Sequence, residues 1–112
     1  MRAACLAVAL VAGSLVGCAH VDITKTAKGF TSPTNPNEVE VLMTRPERKY
    51  SELGVLNAYG YGGRETAKMH NALRAKAAPL GANAVVITDS GQVPGGWGTS
   101  QLWANAVAVR WD

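Results

Sequence analysis

Residues 101–111 alternate between two kinds of side chain, and this limits the fold of the chain more than any other feature. Leu102, Ala104, Ala106 and Ala108 make one set; Trp103, Val107, Val109 and Trp111, with Asn105 among them, make the other. Successive side chains of an extended strand point to opposite faces. The segment therefore predicts a strand with one smooth face and one bulky face. A smooth alanine face lets a helix approach closely, so the helix is expected on that side and the Trp/Val face is left without an obvious cover. The reverse arrangement, with the bulky groups in the core and the alanines outside, is compatible with the same pattern.

The helix is found in residues 64–80, where Met69, Ala72, Leu73, Ala77 and Leu80 recur at helical spacing and Arg64, Lys68, His70 and Arg74 turn toward water. Pro79 and Gly81 end it. Residues 84–88 are an almost continuous apolar run of strand length, which suits a central strand. Residues 38–42 alternate acid and apolar until Thr44-Arg45-Pro46 breaks them. A further strand is predicted over residues 53–61, closed by Gly60, Gly62 and Gly63. Pro94-Gly95-Gly96-Trp97-Gly98 reads as a flexible turn. The order β-β-α-β-β predicts an α+β fold, a small single-layer, mainly antiparallel β-sheet with one packed helix. Residues 38–112 supply enough chain for one small core.

The chain ahead of this domain has a different character. Arg2 precedes an apolar run over residues 3–16 that ends in Leu15-Val16-Gly17-Cys18. Roughly 14 apolar residues fall short of the ~20 that a membrane span requires. The pattern Leu-x-Gly-Cys resembles the lipobox of bacterial lipoprotein signal peptides. That resemblance implies a signal peptide over residues 1–17, cleavage between Gly17 and Cys18, and acylation of Cys18 on its sulfur and then on its new amine. A single acyl chain binds a membrane reversibly, whereas two anchor it stably. In Gram-negative lipoproteins an aspartate after the cysteine favours inner-membrane retention. Ala19 here implies the outer membrane, with the domain in the periplasm.

Residues 18–37 contain Gly29, Pro33 and Pro36 among Thr, Ser, Asn and Lys, with Val21, Ile23 and Phe30 the only large apolar side chains. This composition predicts a flexible tether. As a random coil its mean span is about 25 Å. A local strand or helix within residues 21–30 is the alternative. The chain carries 11 Lys and Arg against 8 Asp and Glu; subtracting Arg2 with the leader leaves ten against eight, a net charge of +2. The basic residues are scattered among acids, so nucleic acid is not an expected partner. Cys5 lies in the leader and Cys18 is assigned to lipid, which leaves the domain no disulfide.

Pro46, Tyr50, Leu53, Gly54 and Val55 form a Pro-x3-Tyr-x2-Leu-Gly-x-Val pattern. Ala67-Lys68-Met69, Leu73-Arg74, Ala77 and Leu80-Gly81-Ala82-Asn83-Ala84-Val85-Val86 add a helix and the start of a strand. Together they resemble the RcsF/YbjQ-like small bacterial lipoproteins over roughly residues 38–109. The resemblance implies envelope sensing through protein contacts, or ring-like self-assembly. Ser90 stands near the strand end where RcsF has a disulfide, and no metal ligands of the YbjQ-like proteins transfer to positions here.

Candidate chemistry is sparse. His20 and His70 are the only histidines, too few for the three or four converging ligands of a zinc site. Gly60-Tyr61-Gly62-Gly63-Arg64 precedes the helix but lacks the Gly-Lys-Ser/Thr ending of a phosphate loop. Ser51, Ser90 and Ser100 sit in no nucleophile elbow. No catalytic residue, metal or cofactor is expected. Trp103, Trp111, Tyr59, Tyr61 and Trp97 are candidate interface residues, because clustered aromatics anchor protein contacts; core packing is the competing explanation. The sequence thus predicts a non-catalytic outer-membrane lipoprotein, held in the bilayer by acylated Cys18, whose small domain meets an envelope protein partner in assembly or stress sensing. The alternatives are a self-assembling structural module and a metal or small-ligand carrier.

Overall fold

The computed structural model describes residues 19–29 and 31–112. The leader, the cleavage site at Gly17 and Cys18, and Phe30 lie outside the described residues. Five strands form one sheet: β1 (His20–Lys25), β2 (Glu40–Leu42), β3 (Tyr50–Gly62), β4 (Ala84–Pro94) and β5 (Ser100–Trp111). One α-helix among the described residues, α1 (Thr66–Ala77), joins β3 to β4. The strand order is β1-β3-β5-β4-β2. β1 and β4 and their neighbours β3 and β5 pair antiparallel, whereas β2 lies parallel to β4. The α+β class with one helix on one sheet holds. The strand order is extended by β1 and the sheet is mixed.

The tether reading of residues 18–37 does not hold over His20–Lys25, which pairs along Gly54–Tyr59 as an edge strand. Alternation explains it: Val21 is buried and Ile23 packs against the core, while His20, Asp22 and Thr24 face outward. The chain stays bound to the domain further on. Thr26 and Ala27 donate their N–H groups to the Leu53 carbonyl. Thr34 donates its N–H to Ala78 O at 2.9 Å and its hydroxyl to Ala82 O at 2.5 Å.

The smooth face of β5 does meet the helix. Ala104, Ala106 and Ala108 are fully buried in one cluster with Met69, Leu73 and Ala77 of α1 and with Leu56 and Val85 of the flanking strands. Small side chains on the central strand let α1 sit close, so Leu73 reaches between its neighbours and is completely buried. It is β5, not β4, that takes the centre of the sheet.

The helix starts two residues later than its charge pattern predicts, because Gly62 to Glu65 form a tight turn. Glu65 donates its N–H to Gly62 O at 2.9 Å, and its carboxylate accepts the Gly62 N–H at 2.7 Å. At the other end a proline ring would clash with the carbonyl four residues back. Pro79 is accommodated in a 3-10 turn over Ala78–Leu80. Gly81 then takes φ +89, and a Cβ there would stand 2.5 Å from Thr31 Cγ2. Only glycine fits both the conformation and the space.

Candidate functional site

The register assigns each residue of the sheet to the helix-covered face or to the opposite one. Tyr59, Asn57 and Val55 of β3 share the helix-free face with His20, Asp22 and Thr24 of β1 and with Trp103, Asn105, Val107, Val109 and Trp111 of β5. Its two ends differ. Toward the end of β5, Ala84, Val86 and Val109 are buried and Leu42, Tyr50, Val107 and Trp111 pack around them as a second small core. The segment between β2 and β3 helps cover it: the Arg48 guanidinium stacks 4.4 Å from the centre of the Trp111 ring, and Arg45 donates to the Tyr50 hydroxyl at 3.3 Å. The Trp/Val face is therefore covered here by the chain itself, which corrects the expectation of a face without a cover.

Nearer the middle the same face is open. Val55 and Tyr59 are 38% and 45% exposed, and Asn57 and Asn105 stand opposite each other in register. Both asparagines are exposed. Tyr59 belongs to a small polar group. Its ring lies 5.6 Å from that of His20, and Asp22 accepts from the Tyr59 hydroxyl at 3.4 Å while lying 2.7 Å from His20 Nε2. Desolvation, followed by the charge of Asp22 and its hydrogen bond, raises the Tyr59 pKa. Exposed contacts of this kind add little to stability, so their effect is to arrange a polar surface. This group is legible only once His20 and Asp22 are read as one face of a strand.

The five aromatics named from the sequence do not come together as one patch. Tyr61 is 4% exposed and belongs to the core under α1, where desolvation raises its pKa, so it is withdrawn from any partner. Trp111 is half-covered beneath Arg48. Trp103 is half-buried over Gly91, its strand partner; a Cβ at Gly91 would lie 3.0 Å from the indole. Trp103 and Trp111 share a face, but eight residues of strand separate them by about 27 Å. Trp97 stands apart, fully exposed at the tip of the β4–β5 hairpin.

A groove of about 230 Å³ opens between the first turns of α1 and the outer part of β4, with Met69, Ile87 and Leu102 as apolar lining and His70 beside them. Sites for drug-sized ligands usually reach about 300–1,000 Å³. His70 is partly buried rather than turned fully to water, and desolvation together with Arg74 lowers its pKa. Among the described residues no three His, Cys, Asp or Glu side chains converge as metal ligands. None of the described helices is long and apolar enough to cross a membrane.

No family model matches the chain, and no curated protein matches it. Among solved structures the fold is similar to the Francisella virulence factor FvfA in its orthorhombic crystal form. The two share 17% identity over 79% of this chain and 96% of that one, with a TM-score of 0.53. At that identity the likeness concerns the fold alone.

Proposed function

We propose that this chain is a non-catalytic outer-membrane lipoprotein whose small domain presents the helix-free face of its sheet to an envelope protein. Leu15-Val16-Gly17-Cys18 carries the reading: the cysteine follows an apolar leader, and two or three acyl chains on it bind a bilayer stably. The strip of Val55, Asn57, Tyr59 and Asn105 supplies an open face of mixed polarity, as found on surfaces that bind without permanent association. The resemblance to RcsF/YbjQ-like lipoproteins supports envelope assembly or stress sensing as the setting. Labelled fatty acid fed to cells expressing the chain tests the anchor. Incorporation that is lost in Cys18→Ala, with accumulation of the unprocessed precursor, is the expected result, and equal labelling of variant and parent overturns it.

Self-association is the second reading, favoured by the edges of the sheet. β2 pairs with β4 only at Ala84–Val86, so among the described residues the remainder of β4 has no neighbour on that side. An unpaired edge is a template for another strand. Sedimentation of the detergent-solubilised protein separates the readings: a defined oligomer of the chain supports self-assembly, and a monomer supports a foreign partner.

A further inference from the structure

We infer that the tip of the β4–β5 hairpin is a membrane-interface contact, with Trp97 seated at the lipid headgroups beside the acylated N-terminus; this rests on the lipidation of Cys18 proposed above. The register places them at one end of the domain. Only Ala19 separates Cys18 from His20, and two peptide bonds span at most about 7 Å. His20 is level with Tyr59. Followed backward from there, the chain leaves the sheet at the end where β3 finishes, β4 turns and β5 begins. That level crosses β5 near Trp103, paired with Gly91. Three more residues, about 10 Å of strand, reach the last pair, Pro94 and Ser100, and the tip lies beyond it. A bilayer holding Cys18 therefore lies against the end of the domain that carries Trp97.

The tip suits that surface chemically. Residues 92–101 contain no charged side chain, so seating the tip itself desolvates no ion; the nearest charges, Arg64 and Glu65, border Gly98, Thr99 and Ser100 at its base. Val93 is 45% exposed and Trp97 wholly so. Indole combines a large apolar body with one N–H donor, which is why tryptophan concentrates at membrane interfaces. The loop beneath it is ordered by its own hydrogen bonds: Gly95 N–H to Thr99 O at 2.8 Å, Thr99 N–H to Gly96 O at 3.2 Å, and the Thr99 hydroxyl to Gly96 O at 2.6 Å. Trp97 adopts φ +62 between glycines, a backbone conformation that glycine would take with less strain. Among the described residues no side chain covers the ring, which is wholly exposed. With acyl chains already providing attachment, the second contact fixes the tilt of the domain. The β2–β3 segment and the C-terminus at the opposite end then point away from the membrane.

Fluorescence quenching tests this on the processed, acylated protein reconstituted into phosphatidylethanolamine–phosphatidylglycerol vesicles containing brominated lipid. The parent and Trp103→Phe are expected to lose part of their tryptophan emission to the bromines, and Trp97→Ser to lose none. Equal quenching of parent and Trp97→Ser overturns the contact, as does Trp97 emission quenched only by aqueous acrylamide, which would place the tip in solvent or against a protein. Fatty-acid labelling of the same preparation separates the two ideas. Label present without Trp97-dependent quenching refutes the tip contact alone, whereas absence of label removes the anchor and this inference with it.

Discussion

The side-chain carbonyl of Asn83 accepts the backbone N–H of Trp111 at 2.8 Å, joining the residue before β4 to the last residue of β5. The Asn83 backbone extends the connection: its N–H donates to Val109 O at 2.8 Å, and its carbonyl accepts from Glu40 at 3.1 Å. One residue thus ties together the starts of β2 and β4 and the end of β5. Beside it, Arg110 donates to the Gly81 carbonyl at 2.9 Å. The Gly-Ala-Asn-Ala sequence is therefore a structural corner, with the glycine making the turn and the asparagine closing it.

Asn83→Ala leaves the Trp111 N–H without its acceptor. An unmade hydrogen bond in a partly buried place costs about 1–2 kcal/mol, a large share of the stability of so small a domain. The midpoint of urea unfolding is expected to fall with no change in slope. An unchanged midpoint would show that water replaces the amide.

Gly81→Ala tests the same corner through its backbone. A left-handed conformation costs a non-glycine residue about 1–2 kcal/mol, and here the added methyl also meets Thr31. Loss beyond that range is expected in the parent background, with partial recovery when Thr31→Gly removes the obstructing methyl. Tolerance of alanine would show that the loop can move aside.

Leu73→Ala opens a hole where α1 meets the alanine face of β5. Its side chain is completely buried, so a loss of about 2–5 kcal/mol is expected. Chemical denaturation reads this directly, and equal midpoints for variant and parent would remove Leu73 from the core.

Glu65 gives the domain a dependence on acidity. Its carboxylate is held below the usual range first by the Gly62 N–H and then by Lys68 at 3.3 Å. Because the folded pKa is the lower one, its contribution is complete above the unfolded value and is lost as pH falls through the folded value. As pH falls through the ordinary carboxylate range and below it, the parent should lose more stability than Glu65→Gln, whose amide oxygen still accepts from Gly62. Parallel pH profiles for the two proteins would show that the turn holds without the charge.

Much of the sheet is legible because its alternation is strong. Period two in β5 separates the alanines from the bulky residues, and the helical spacing of Met69, Leu73 and Ala77 marks the buried side of α1. What escapes is decided by pairing partners. Tyr50, Ser51 and Glu52 join β3 because the end of β5 lies beside them, and polar residues 89–92 extend β4 because β5 supplies their hydrogen bonds. β1 is hidden by the glycine and prolines that follow it, although Val21 and Ile23 carry the alternation. The surface is harder to read for the same reason. Shared parity puts Trp103 and Trp111 on one face, yet only the cover from residues 43–49 shows that Trp111 belongs to a second core. Only the register shows that the hairpin carrying Trp97 projects from the end of the sheet where β1 begins.

The last prediction separates the half of the open face that supports folding from the half available to a partner. Trp111 packs with Tyr50 and Val107 beneath Arg48, so Trp111→Thr removes contacts from a half-buried ring. A cost of about 2 kcal/mol is expected, below that of emptying a fully buried aromatic site. Val55 and Tyr59 stand exposed near the middle of the same face, and threonine suits a strand at either position. The double variant Val55→Thr, Tyr59→Thr should unfold close to the parental midpoint while losing crosslinks to envelope proteins in intact cells. If crosslinking is instead unchanged in the double variant, the partner does not use this strip, and the binding face must be sought along the open edge of β4.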